Sequence, residues 1–225
     1  MIRSRFVRSF ALVLTTFIAL SCADVSPTAP PRAAPTQAQD GLIGDLLGTV
    51  VGLLNVVLGP VLKIIDFRTD PDGIPVRAVR WAPAHIDKVH SVSGTIGSDG
   101  GTLVIPRSDF AITFPKGALS QPTQITIISD DNGYVSYDMR PHGLRFAKPV
   151  IVTQSLKNTE VYGTPKALNS FGAYFPKDPK KLNGILKALE IEKTTIYGAP
   201  NSNSKKAEVQ TWELKHFSRY MLASG

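Results

Sequence analysis

GTIGSDGGTLVIPRSDFAITFPKGALSQPTQITII, residues 94–128, reads as short apolar runs cut by turns. Gly100-Gly101 supplies the positive φ values of a tight hairpin turn. Phe110, Ile112 and Phe114 then fall on one face of a strand, with Ala111 and Thr113 on the other. Pro115 followed by Gly117 ends that strand sharply and turns the chain.

The same texture extends outward in both directions. Turn signals such as Pro71-Asp72-Gly73 and Asp131-Asn132-Gly133 separate alternating runs rich in Val, Ile, Thr and aromatics. Leu144, Phe146, Lys148, Val150 and Val152 alternate in the same way, and Pro149 among them favours an edge strand or a bulge. From 178 to 189 (DPKKLNGILKAL) the period loosens and admits a short helix, and Val209 to Leu222 alternates again. The fold class expected is all-β, an antiparallel β-sandwich over residues 76–225.

Residues 94–128, followed by PHGLRFAKPVIV at 141–152, resemble the ZU5 domain, the β-sandwich found in zonula occludens scaffolds, netrin receptors, ankyrins and bacterial envelope proteins. The matching positions are Gly97, Gly100, Gly101 and Leu103, then Phe114 to Leu119, then Gly143, Phe146, Lys148, Pro149 and Val150. The family more often has a second proline where Lys116 stands. The resemblance implies a binding or structural module without a shared catalytic centre, its partner an envelope protein or a glycan.

It also draws the eye to His216-Phe217-Ser218. Some members of the family cut themselves between the Phe and the Ser of such a sequence. The serine hydroxyl attacks the preceding carbonyl, the acyl group moves from nitrogen to oxygen, and water hydrolyses the ester, with the histidine as base. Strand alternation places Trp212, Leu214, His216, Ser218, Tyr220 and Leu222 on one face, so His216 and Ser218 are expected to point the same way. The competing reading is a closing strand that simply packs His216 and Tyr220.

The other end of the chain speaks of location. Arg3, Arg5 and Arg8 precede the apolar run Phe10 to Leu20 with no acidic residue among them. That is the form of a secretory signal, 1–21, and the run is far short of the roughly 20 residues that span a bilayer. Ile18-Ala19-Leu20-Ser21-Cys22 resembles the lipobox of bacterial lipoproteins, although Leu usually stands where Ala19 does. The resemblance implies cleavage before Cys22 and lipid attachment to it. Cys22 is the single cysteine of the chain. It has no partner for an internal disulfide in an oxidising compartment, and lipidation would cap the thiol. Ala23 follows it and Asp24 comes one residue later, which by the enterobacterial sorting rule implies the outer membrane.

Residues 22–40 are rich in Pro and Ala, with no aromatic residue, a composition that predicts an extended spacer. Residues 41–66 begin GLIGDLLGTVVGLLNVVLGPVLKII and read as an apolar, Gly-rich helix whose small and polar positions share one stripe. Gly44, Gly48 and Gly52 would allow close self-association in a membrane. A helix lying in the membrane interface near its anchor, packing against the downstream domain, or β structure rich in Val and Gly, are the alternatives. A full membrane span is least favoured, because Asp45, Asn55 and Pro60 are costly there.

The formal net charge of +7 falls to +4 once the three signal arginines are removed. The remaining basicity belongs to an exported chain, which argues against nucleic acid as partner and towards anionic lipid, polysaccharide or plain solubility. His85 and His90 fit no zinc spacing, and Asp130 to Asn132 lack the rest of a calcium loop. No cofactor or metal is expected.

Overall fold

Among the described residues the first strand is Val61–Ile65, earlier than the alternation alone marks strand structure. The computed structural model describes residues 59–83, 85, 89–129, 133–175, 185–199 and 206–225. Cys22, Gly44, Gly48, Gly52 and Asp130 to Asn132 lie outside the described residues.

Among the described residues, thirteen strands form two antiparallel sheets. The six-stranded sheet runs β1 (Val61–Ile65), β11 (Thr194–Gly198), β12 (Ala207–His216), β8 (Arg145–Ser155), β5 (Phe110–Phe114) and β4 (Gly101–Ile105). The seven-stranded sheet runs β2 (Arg68–Ala78), β10 (Ile185–Ile191), β9 (Ser170–Phe175), β13 (Arg219–Ser224), β7 (Ser136–Arg140), β6 (Thr123–Ser129) and β3 (His90–Ile96). This is the expected all-β sandwich.

Period-two alternation explains how the two sheets share a core. Phe110, Ile112 and Phe114 of β5 join Val150 and Val152 of β8 and Trp212 and Leu214 of β12 in one buried cluster. The other sheet contributes Ile125, Ile127, Tyr137, Met139, Tyr220 and Leu222 to it. Each large side chain so buried stabilises the fold by roughly 1.5–3 kcal/mol. A polar pair also sits inside: Tyr137 Oη donates to Gln154 Oε1 at 2.5 Å, and Gln154 Nε2 donates to the Ser108 carbonyl at 3.0 Å. Hydrogen bonding offsets the desolvation these groups suffer.

The tight turn read at Gly100-Gly101 is present, closed by an isolated Gly97–Gly100 bridge, but it does not make a hairpin: it carries the chain from β3 in one sheet to β4 in the other. Gly100 has φ +80°, and a Cβ there would lie 2.2 Å from the Phe114 carbonyl oxygen, so no other residue fits without moving backbone. Gly172 is required for a different reason. It lies over Trp212, and an added Cβ would meet that buried ring at 2.6 Å.

Several expectations need correction. The helix read over 41–66 does not extend through its end, because Val61–Ile65 pairs with β11 as a strand. Its Val, Leu and Ile residues suit a pleated edge as well as a helix face, and Pro60 interrupts helix just before them. The sandwich therefore starts before residue 76, and β2 already belongs to it. The short helix at 178–189 gives way to β10 from Ile185, where pairing with β2 overrides a weak local pattern. Pro149 lies in β8 beside an irregularity in the pairing with β12 and beyond Ile151, where the pairing with β5 ends. His216 pairs with Arg145 and Leu214 with Val150, leaving residues 146–149 opposite Lys215. No helix among the described residues is long and apolar enough to cross a membrane.

Candidate functional site

The run from Val209 to Leu222 is not one strand. β12 ends at His216 in one sheet and β13 begins at Arg219 in the other, so the Phe217–Ser218 peptide carries the chain across the sandwich. Alternation therefore does not continue through the corner, and His216 and Ser218 do not share a strand face. Neighbouring residues of opposite polarity still made the run look continuous.

Phe217 anchors the corner. Its ring is fully buried, edge-on to Phe146 at 4.8 Å and to Phe114 at 5.9 Å. Such edge-to-face contacts add to simple burial. Its backbone is equally engaged: the Phe217 N–H donates to the Leu144 carbonyl and the Gly143 N–H donates to the Phe217 carbonyl, each at 2.8 Å. One residue on, the Met139 N–H donates to the Ser218 carbonyl at 3.0 Å.

The loop that carries Gly143 is itself held by a charge cluster. Asp138 is buried in the middle of β7 and accepts from Arg140 Nε at 3.0 Å and Nη2 at 2.8 Å, pairs with His142, and has Arg219 Nε at 3.6 Å. Burial pushes the Asp138 carboxyl up, but the hydrogen bonds from His142 and Arg140 outweigh it and hold the carboxyl below its ordinary value.

His216 faces a second cluster. Its Nε2 lies 3.3 and 3.4 Å from the two carboxylate oxygens of Glu190, and its Nδ1 lies 3.2 Å from Tyr220 Oη. The Tyr220 hydroxyl donates to the His216 carbonyl at 2.9 Å. With that hydrogen committed, Tyr220 Oη is placed to accept from Nδ1, and Tyr174 closes the ring edge-on at 5.0 Å. The described partners of the ring are thus Glu190 and Tyr220. No hydrogen bond joins it to the Ser218 hydroxyl among the described residues.

Two carboxyls of this cluster are driven apart. The hydrogen bond from His216 is the chief cause that lowers Glu190. Burial, reinforced by the Glu190 charge, pushes the neighbouring Glu192 up to about 9, so it is neutral at pH 7. Glu192 is 1% exposed and its Oε1 has no hydrogen-bond partner. Burial also raises Tyr220, with Glu192 and Glu190 adding to it, so the phenol stays a hydroxyl donor.

What this arrangement can do is defined by two geometries. The Gly143 N–H stands where negative charge would develop on the Phe217 carbonyl under attack by Ser218, as an oxyanion donor must. The imidazole, in contrast, is occupied on both nitrogens and would have to leave Glu190 or Tyr220 to serve Ser218 as base. Gly143, Glu190, Glu192 and Asp138 were not singled out for this chemistry by sequence. Glu190 and Glu192 follow the 178–189 stretch with its loosened period, and only strand pairing brings Glu190 to His216.

Elsewhere the candidates are structural. His90 opens β3, and the His85 ring stacks on Trp81 with centroids 4.8 Å apart. Among the described residues, no group of three His, Cys, Asp or Glu side chains is placed to hold a metal ion.

No curated protein matches the chain. A family model does: residues 92–132 match the ZU5 domain, covering most of β3 and all of β4, β5 and β6. The positions noted from Gly97 to Leu119 fall within the match, and those from Gly143 to Val150 follow it. Residues 92–132, which form the last two strands in the order of each sheet, thus match the ZU5 domain family.

Proposed function

We propose that the chain is a lipid-anchored cell-envelope protein, attached through Cys22 at the outer membrane, whose sandwich serves as a protein-interaction or structural module. The observation that supports the module most directly is β3, most of which falls in the ZU5 match. It is the terminal strand of the seven-stranded sheet, and among the described strands it pairs only with β6. Its outer side presents a polar ladder in which Ser93 Oγ meets Thr126 Oγ1 at 2.8 Å and Thr95 donates to Gln124 at 2.8 Å. An open edge with such a face suits a partner strand added by backbone hydrogen bonds, or a glycan bound by hydroxyls. Photo-crosslinking from Thr95 in intact cells should trap a discrete adduct that a probe at exposed Lys157 does not. Equal adducts from both positions would remove β3 as the interaction edge. Labelled palmitate should enter the wild type and not Cys22→Ala; a wild type without label would overturn the anchor.

Self-cleavage between Phe217 and Ser218 is the second reading, supported by the Gly143 N–H on the Phe217 carbonyl. In it the Ser218 oxygen bonds to the Phe217 carbonyl carbon and passes its proton to His216. The C–N bond then breaks, the Ser218 amine takes up the proton, and water opens the ester. The released segment is Ser218 to Gly225, still paired on both sides as β13. Intact mass after denaturation decides it: a fraction shortened by that segment in the wild type and absent in Ser218→Ala supports cleavage, and a wild type wholly of full mass ends it.

A further inference from the structure

Exposed aliphatic side chains and cations gather on one face of the sandwich, around β1, β2 and the start of β10. Val61 and Ile64 on the terminal strand β1 are 55% and 56% exposed, and Ile185 is 64% exposed. A groove of about 520 Å³ links Lys63 and Ile64 to Arg68, Ile74 and Pro75. A second groove shares Pro75 with it and continues to Arg77, Lys166 and Ile185. Lys63, Arg68, Arg77 and Lys166 are all exposed, and Asp66 is the acidic side chain in these linings. The ion pairs of the described residues involve other cations, and Lys63 donates instead to Asn169.

Exposed branched aliphatics, rimmed by four cations and the single carboxylate of Asp66 in these linings, form an apolar patch that water solvates poorly. It is equally unsuited to self-pairing, because a two-fold contact would set the four cations of one copy against the same four of the other. At a bilayer surface both features are satisfied at once. The aliphatics enter the boundary of headgroups and acyl chains, while the cations stand among the phosphates. The chain also reaches β1 directly from its most apolar stretch, GLIGDLLGTVVGLLNVVL at 41–58.

We propose that this face rests on a phospholipid bilayer bearing anionic headgroups, with Ile64 and Ile185 inserted and Lys63, Arg68, Arg77 and Lys166 on the phosphates. It extends the membrane-anchored reading above, yet it needs no lipid on Cys22. The face thereby sets the orientation of the sandwich, directing other edges away from the membrane.

The test uses the full chain carrying Cys22→Ala, floated with vesicles of phosphatidylcholine alone or mixed with phosphatidylglycerol. Binding should favour the mixed vesicles and weaken as salt is raised. Arg68→Ala with Lys166→Ala should lower binding roughly 10- to 30-fold, as expected for two cations near an anionic surface. Ile64→Ser with Ile185→Ser should lower it several-fold with the salt dependence kept. Arg107→Ala with Lys116→Ala removes the same charge from outside the face and leaves all other segments intact, so it should bind nearly as well as the parent. The proposal is overturned if phosphatidylglycerol makes no difference, or if the Arg107 and Lys116 pair costs as much as the Arg68 and Lys166 pair. Palmitate labelling of the wild type reads the anchor separately, so failure of one does not imply failure of the other.

Discussion

Glu192→Gln is expected to stabilise the protein at neutral pH and to remove a pH dependence that the wild type shows. Glu192 is 1% exposed, one of its carboxyl oxygens has no partner, and its pKa is pushed up to about 9 by burial and by Glu190. In the unfolded chain the same group titrates at its ordinary value of 4.5. Between those two values the folded state keeps a proton that the unfolded state has released, so stability falls as pH rises across the window and levels off above it. At about 1.36 kcal/mol per pH unit, the loss accumulated by pH 7 is about 3 kcal/mol. A glutamine keeps the shape and a donor for Glu190 but cannot ionise.

Urea unfolding of both proteins at several pH values checks this. The variant should gain little near pH 4.5 and progressively more towards pH 9. A constant difference across that range would show that Glu192 is ionised in the fold. Glu190 acts with the opposite sign. Its lowered value means its contribution is present above its unfolded value and is lost as pH falls through its folded one. The wild type and the Glu192→Gln variant should therefore both still weaken in acid.

Phe217→Ala should cost about 3–5 kcal/mol, the range for emptying a buried aromatic site. The side chain is fully buried between Phe114 and Phe146, and its backbone is held at 2.8 Å to both Leu144 and Gly143. The residue joins the two sheets, so loss of its ring loosens β13, which pairs with β9, β7 and the end of β2. Phe217→Leu should cost clearly less, since it refills most of the volume while losing the edge-on contacts. Denaturant midpoints at unchanged slope give both values. A cost below about 1 kcal/mol for the alanine variant would mean that the corner collapses freely around the gap.

These two residues illustrate why the site was only half legible. His216-Phe217-Ser218 is a contiguous string and stands out on reading. Its surroundings are assembled by pairing between distant segments: Gly143 from a loop held by Asp138, and Glu190 from β10 against β9 and β2. No local pattern marks Glu190 as the neighbour of a residue 26 positions away. The corner itself was hidden because alternation on either side of it looks unbroken, and a strand that changes sheets keeps its polarity rhythm.

Local chemistry in the sequence was enough to determine that the chain is an all-β sandwich with a ZU5 stretch, and where several turns fall. Period-two burial and the backbone needs of Gly100, Gly101 and Pro115 act over a few residues and can be read in order. Only the tertiary structure decided that Val61–Ile65 is a strand, that Pro149 sits beside an irregularity in the pairing of β8 with β12, and that His216 answers to Glu190 and Tyr220 instead of Ser218. Each of those depends on which distant segment supplies the partner, and the free energy of pairing and burial outweighs the weak preference of the segment alone.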